Sequence, residues 1–519
     1  MSLTYVDASS NQATKSNPTG LGLASLGEFS VCGWVNMTTL VNTRVLMQGT
    51  GTSGAIIQMR LSGATGNFSI AQNAAVTLNI ITNNTPLAAT GTWAFIAAAI
   101  KVGTEGHIYK GDLVTPATEC TYGTYTIGTG PPTAETGTLE FCLGNGPTTD
   151  NSAPSCKIGG PWQVYNRLVS LAEFKIIQDC GQIQGTGCKG SWRPGDNGGA
   201  SVTDLSGVGN TLTITGATVS ANPQGSFITR SGLVLGASAN YLTDGITFGY
   251  RYFKPSPSAL ALQNWGMPYR VLFNWHGSGE NGTDNSAQMN GSGSIAQLLG
   301  FSTPSTASPT WPVLSVFPQQ PVQHTGTDPD WASPGTVYAS RVRFMMEDMI
   351  LADLQSLHSI DTTRIYGAGL SLGGRRMFDF AYERPTRYAA IIPCAANIDS
   401  TFSNVVPGIV PPTATDAEAA AIVVPRIIGI PIKMYNSSAD VSMPPAEYQA
   451  ALDAYAAAGL AAGTFWTNTG GDHVNAWTVP NTALVNPAGS TLQTWLFAQQ
   501  RAATSSGMGV MRRRRRRLT

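Results

Sequence analysis

The residues of this chain best suited to nucleophilic chemistry are a serine between glycines, a carboxylate some way downstream, and a histidine after both. Gly369-Leu370-Ser371-Leu372-Gly373 fits G-x-S-x-G, a turn that lifts a serine off a strand and directly into a helix. Glycines suit the flanking positions because a side chain there would meet the neighbouring strand or helix. Serine alone is a poor nucleophile and needs a base, which itself needs an orienting acid. In elbow-type hydrolases these follow in the order Ser, Asp or Glu, His. The chain has five histidines, and only His473 follows Ser371, in the Gly-rich run Gly470-Gly471-Asp472-His473. Asp440 is the preferred acid, since it follows the apolar run 430–435 in the loop Asn436-Ser437-Ser438-Ala439-Asp440, with Asp416, Asp399 and Asp472 as alternatives. A carboxylate there can hold an imidazole in one tautomer and stabilise its charged form.

Acyl transfer also requires donors aimed at the developing oxyanion. The backbone N–H of Leu372, first in the helix after the serine, is one candidate. The other is the N–H of Gly277 or Ser278 in the turn His276-Gly277-Ser278-Gly279. His276 suits bracing of that turn better than proton transfer. Trp275 beside it, and Trp331, are candidate walls of a substrate pocket.

These groups need a scaffold, and residues 225–503 read as an α/β domain with a mainly parallel sheet. Strand-like runs fall at 269–275, 313–318, 361–369, 388–394, 430–435 and 463–466. Helical patterns fall at 340–359, 372–383, 445–457 and 491–501, and in the first of them Met346, Met349, Ile350, Leu354 and Leu357 share one face. The apolar stretch 419–432, interrupted by Pro425, Arg426 and Pro431, reads as a buried strand.

Residues 1–224 have a different texture. Short alternating runs such as Phe29-Ser-Val-Cys-Gly-Trp-Val, divided by Gly, Thr and Asn turns, indicate an antiparallel sandwich. The nearly continuous run at 93–100 fits a strand buried on both faces. One helical insert begins at Ser170, where Glu173 completes a capping box. Trp162 and Tyr165 read as core aromatics, and His107 as structural. Six of the seven cysteines lie in this half, open either to disulfides or to free thiols, and no C-x-x-C pattern points to zinc.

Only 12% of residues are charged and the formal net charge is zero, but this balance conceals an asymmetry. Arg512 to Arg517 lie in the segment 504–519, leaving 24 basic residues against 30 acidic ones elsewhere. Such a block reads as a solvated tail or a nonspecific attachment to an acidic partner or nucleic acid, weakening steeply with salt. The first residues lack the basic start and apolar core of a signal peptide. No apolar run approaches the roughly 20 residues of a membrane span. With this composition, rich in small polar residues, the expected setting is extracellular or on a virion, after cytoplasmic expression.

Several stretches together resemble the α/β-hydrolase family of polyhydroxybutyrate depolymerase-like esterases and predicted peptidases, which includes feruloyl and acetylxylan esterases. They are His276-Gly-Ser-Gly-Glu-Asn-Gly, Phe317-Pro-Gln-Gln-Pro with Asp330-Trp331, Asp361 through Gly374, and Ala439-Asp440-Val-Ser-Met-Pro444. The resemblance implies a Ser371, Asp440, His473 triad, an acyl-enzyme route, and neither metal nor organic cofactor. Two departures stand out: Asn436-Ser437 where relatives carry His-Gly, and an apparent insertion over 399–426. The first half is similar to the laminin G-like, concanavalin-type jelly roll, on Phe29 through Val35, Gly91-Thr-Trp-Ala-Phe-Ile with His107-Ile-Tyr, and Gly160 through Glu173. The combined expectation is a serine carboxylic-ester hydrolase acting on a glycan-associated ester, O-acetyl or feruloyl, with a lectin-like or assembly module. The alternatives are a structural virion component carrying the hydrolase fold, and a serine peptidase.

Overall fold

The structure is a computed structural model that describes residues 2–5, 12–16, 18–21, 26–37, 43–50, 55–62, 67–72, 78–82, 91–128, 139–144, 156–194, 200–215, 218–220, 226–235, 247–255, 267–282, 284–290, 313–321, 337–398, 410–411, 413–459, 465–468, 471–473 and 492–502. Among these, the first half forms an eight-stranded and a nine-stranded sheet, both paired antiparallel. Side chains from both sheets, Phe29, Val31 and Ile158 from one and Leu46, Ile57 and Phe141 from the other, meet in one core. The strand Glu28–Met37 is buried on both faces rather than alternating, because its second face, with Cys32 and Trp34, packs beneath the helix Leu171–Cys180. Gly33 is needed there, since a Cβ would come within 2.1 Å of the Trp162 ring. Trp162 and Tyr165 are fully buried, and all seven cysteines are free thiols.

That helix begins as its sequence indicates: Ser170 Oγ accepts the Glu173 N–H, and the Glu173 carboxylate accepts the Ser170 N–H at 2.8 Å. It serves both halves of the chain. Phe174 and Ile177 pack with Cys32 and Trp34 on the second face of Glu28–Met37, while Cys180 belongs to the core of the second half. One residue earlier, Asp179 reaches Lys254 Nζ and His358 Nδ1, each at 2.7 Å, and accepts the Ser359 N–H at 3.1 Å. Tyr269 donates its hydroxyl to the Asp179 carbonyl, and Tyr252 is paired with His358 Nε2 at 2.8 Å. Burial pushes the Asp179 carboxyl up, but Lys254 and His358 outweigh it and hold the group below its ordinary value.

The second half carries one eight-stranded sheet, in the order Ser226–Val234, Thr247–Lys254, Val313–Gln319, Tyr269–Trp275, Ile360–Leu370, Ala390–Cys394, Met434–Ser437 and Phe465–Asn468. The first two pairings are antiparallel and the other five parallel. The sheet is mainly parallel with an antiparallel edge. Among the described residues no helix is long and apolar enough to cross a membrane.

The helix Val337–Leu357 buries Met346, Ile350 and Leu354 of the expected face, while Met349 and Leu357 are half-buried. One element departs from its sequence reading: the apolar run expected as a strand is the helix Asp416–Ile427. Thr415 caps it, forming a reciprocal box with Glu418, and Ala419, Ala420, Val423, Val424 and Ile427 make one buried face. Pro425 lies in its last turn, where it has no N–H to give the Ala421 carbonyl and so removes one bond of the helix.

Candidate active site

Ser371 sits between the end of the strand Ile360–Leu370 and the start of the helix Leu372–Glu383, with φ 54° and ψ −120°. A non-glycine residue held there costs on the order of 1–3 kcal/mol, so its surroundings must impose it. They do so through contact distances that only glycine permits. A Cβ on Gly369 would lie 2.1 Å from the Gly373 carbonyl oxygen, and one on Gly373 would lie 2.0 Å from that of Trp275. On Gly374 a Cβ would lie 2.5 Å from the Cys394 carbonyl oxygen, to which Ser371 also donates its N–H at 2.8 Å. The nucleophile helix is thus pressed onto the ends of two neighbouring strands.

The sequence candidates for base and acid converge on this serine. His473 Nε2 lies 2.8 Å from Ser371 Oγ, and His473 Nδ1 lies 2.7 Å from Asp440 Oδ2. With Nδ1–H donated to Asp440, Nε2 is free to accept the serine hydroxyl. Asp440 is 3% exposed, and its other oxygen accepts the Ser442 and Met443 N–H groups at 2.8 and 2.7 Å. Those bonds fix the carboxylate plane with one oxygen turned to the imidazole. The acid and base loops are joined by the Ala439 N–H, which donates to the Gly471 carbonyl at 3.2 Å. Asn436, one of the two departures from the family pattern, is buried and accepts the Ala396 N–H at 3.3 Å, tying the acid strand to its neighbour. Of the alternative acids, Asp472 is exposed, Asp416 opens the helix Asp416–Ile427, and Asp399 lies outside the described residues.

The turn after the strand Tyr269–Trp275 stands over the serine, so that a Cβ on Gly277 would be 3.7 Å from Ser371 Cβ. Sequence reading leaves Gly277 and Ser278 as equal candidates for the second oxyanion donor. The Gly277 N–H is already donated to Glu280 Oε2 at 2.9 Å. Leu372, the first residue of its helix, retains an N–H without an intrahelical acceptor.

His276 is a brace. Its Nε2 accepts the Gln320 N–H at 3.0 Å, and its Nδ1 lies 2.6 Å from the Gly277 carbonyl oxygen. An Nε2 that accepts carries no proton, so the ring is neutral with Nδ1–H donating. Burial also holds its pKa down at about 4. Gln319 and Gln320, part of the Phe317-Pro-Gln-Gln-Pro run, do related work: Gln319 accepts the Asn285 N–H and donates to Asp284 at 2.7 Å, while the Gln320 carbonyl accepts the Gly282 N–H at 2.9 Å.

Trp275 does not wall a pocket. It is 1% exposed, with its ring centroid 5.2 Å from that of Phe380 under the nucleophile helix. As the last residue of an interior strand it faces the core helices. Trp331 and Arg512 to Arg517 lie outside the described residues. Among the described residues no cluster of His, Cys, Asp and Glu could hold a metal ion.

No family model matches the sequence, and no curated protein does. Solved structures with some likeness to it include a thermostable esterase, at 14% identity and TM-score 0.34, covering 91% of this chain and 95% of that one. A ferulic acid esterase aligns at 16% identity and TM-score 0.34 over 51% of this chain and 96% of its own. A heptameric SAP-like pentraxin from Limulus polyphemus aligns at 14% identity and TM-score 0.30 over 41% of this chain and 95% of its own.

Proposed function

We propose that this protein is a serine carboxylic-ester hydrolase working through an acyl-enzyme. The observation that carries the proposal is the hydrogen-bonded series Ser371, His473, Asp440 at 2.8 and 2.7 Å, with the serine held at positive φ. In this reading His473 Nε2 takes the Ser371 proton as the hydroxyl oxygen attacks the ester carbonyl. Asp440 stabilises the imidazolium, and the same histidine returns the proton to the leaving alcohol. Water, activated by His473, then attacks the acyl-serine and releases the acid. The oxyanion formed in each half-reaction rests on Leu372 N–H and a donor of the 276–279 turn.

The proposed substrate class is a glycan-associated ester, O-acetyl or feruloyl. Its support is a β-sandwich held to the α/β half through Asp179 and Cys180, at the end of the strand Ile360–Leu370 opposite Ser371, so that it is a fixed rather than a tethered module. The proposed setting is extracellular or virion-associated.

The test is hydrolysis of short p-nitrophenyl esters by the wild type and by Ser371→Ala. The expected result is turnover by the wild type and a loss of several orders of magnitude in the variant. Activity surviving the substitution would refute the nucleophile, and a folded but inactive wild type would favour a structural role. Acetylated glycans, feruloyl esters and peptides compared under one condition then separate the ester classes from peptidase activity.

A further inference from the structure

Glu280 is a buried carboxylate that the proposed mechanism does not use. It is 8% exposed, and its carboxylate accepts the Gly277 N–H. Among the described residues no cation is paired with it, and burial pushes its carboxyl up to about 7. A costly group placed beside a nucleophile and bonded to the turn that faces it calls for a reason.

Gly277 is the point where two restraints meet. Its N–H is held by Glu280, and its carbonyl by His276 Nδ1–H. A peptide unit is planar and trans, so its N–H points opposite to its C=O. The Gly277 carbonyl shares its unit with the Ser278 N–H, which is therefore turned away from the His276 ring. Ser278 opens the short 3-10 helix Ser278–Glu280, so its N–H has no acceptor within that helix. The turn lies against Ser371, with a Gly277 Cβ position 3.7 Å from the serine Cβ.

We propose that Glu280 is a positioning residue which, together with His276, clamps Gly277 so that the Ser278 N–H is the second oxyanion donor beside Leu372 N–H. This inference rests on the esterase reading. It assigns Glu280 no contact with substrate: the carboxylate consumes the wrong donor and leaves the right one aimed. The carboxylate accepts the Gly277 amide, so a glutamine that accepts the same N–H preserves the clamp.

The experiment uses the full chain with three substitutions, measuring kcat and KM on a p-nitrophenyl ester, affinity for a trifluoromethyl ketone that forms a tetrahedral adduct with serine, and Tm. Ser278→Pro deletes the N–H at the first position of a helical turn, where proline is tolerated, and is expected to lower kcat by about 10²–10³ with KM little changed. Glu280→Ala is expected to lower kcat by about 10–10², with ketone affinity falling in parallel, because the donor loses its aim rather than its existence. Glu280→Gln is expected to restore kcat to within a few-fold of wild type.

Wild-type kcat in folded Ser278→Pro overturns the assignment of the donor. A faster Glu280→Ala enzyme overturns the clamp, showing that the carboxylate instead holds the site closed. A Glu280→Ala loss carried by KM or Tm, and not rescued by glutamine, reduces Glu280 to a packing role. A wild type that hydrolyses no ester refutes the enzyme reading and this inference together, whereas an active wild type with unaffected variants refutes this inference alone.

Discussion

Replacing Asp179 by alanine should destabilise the α/β half although Asp179 belongs to the helix Leu171–Cys180 of the sandwich half. The carboxylate has three partners, Lys254 Nζ at 2.7 Å, His358 Nδ1 at 2.7 Å and Ser359 N–H at 3.1 Å. The side chains of Asp179, Lys254 and His358 are 4%, 7% and 4% exposed. Removing the anion leaves the Lys254 ammonium buried without its counter-charge, a change that costs about 3–5 kcal/mol. Replacing both members by apolar residues, Asp179→Leu with Lys254→Met, removes the charge along with its partner and should recover most of that loss. The assay is urea denaturation followed in parallel by ester hydrolysis and tryptophan fluorescence.

The dependence on pH has a definite sign. Asp179 is held below its ordinary value, so its contribution is present above the unfolded carboxylate value of about 3.9 and is lost as pH falls through the folded one. The deficit of Asp179→Ala should therefore shrink in strong acid. A cost below about 1 kcal/mol at neutral pH, or an α/β-half midpoint that does not move while the sandwich midpoint does, would refute the buried latch and separate the two halves.

Other outcomes follow from the same geometry. Asp440→Asn should keep the fold yet lower kcat by about 10⁴, because the His473 tautomer is no longer enforced; hydrolysis within tenfold of wild type would count against Asp440. Gly373→Ala places a Cβ 2.0 Å from the Trp275 carbonyl oxygen and should cost about 1–3 kcal/mol or more, together with activity, as read by denaturation and ester turnover. Glu347, buried beside Tyr388 and Arg387, has its carboxyl pushed up to about 7 by burial, against about 4.3 when unfolded. Its ionisation costs stability increasingly from about pH 4 to 7, so Glu347→Gln should gain on wild type by up to ~3 kcal/mol between pH 5 and 8, measured as unfolding free energy. The seven thiols should all titrate with a thiol reagent in unreduced, denatured protein, and reductant should leave Tm unchanged.

Much of the site could be read directly along the chain because its signals are local. A glycine pair around Ser371 is required by a turn only a few residues long, and His473 was selected because no other histidine follows it. The Ser170 and Glu173 capping box is equally local and is present. Readings failed where the answer depended on what lies across from a residue. The run 419–432 is apolar enough for a strand, and what makes it a helix is the Thr415 cap and a core that accepts one face. Trp275 looked available for a pocket, but its position at the end of an interior strand turns it onto Phe380. Gly277 and Ser278 are indistinguishable in sequence, and only the fold shows that the carboxylate three residues on takes the Gly277 N–H.

The sequence alone determined the order of the functional groups, the division into a β-rich half and an α/β half, and the strained turn that presents Ser371. These depend on residue type and short-range spacing, which fix backbone conformation within a few residues. The tertiary structure decided which carboxylate faces His473, that the Gly277 N–H is taken by Glu280, and that Asp179 is fastened to His358, 179 residues away. Those outcomes arise from burial and from pairing between distant strands and helices, where the cost of leaving a polar group unpaired selects its partner from the whole chain.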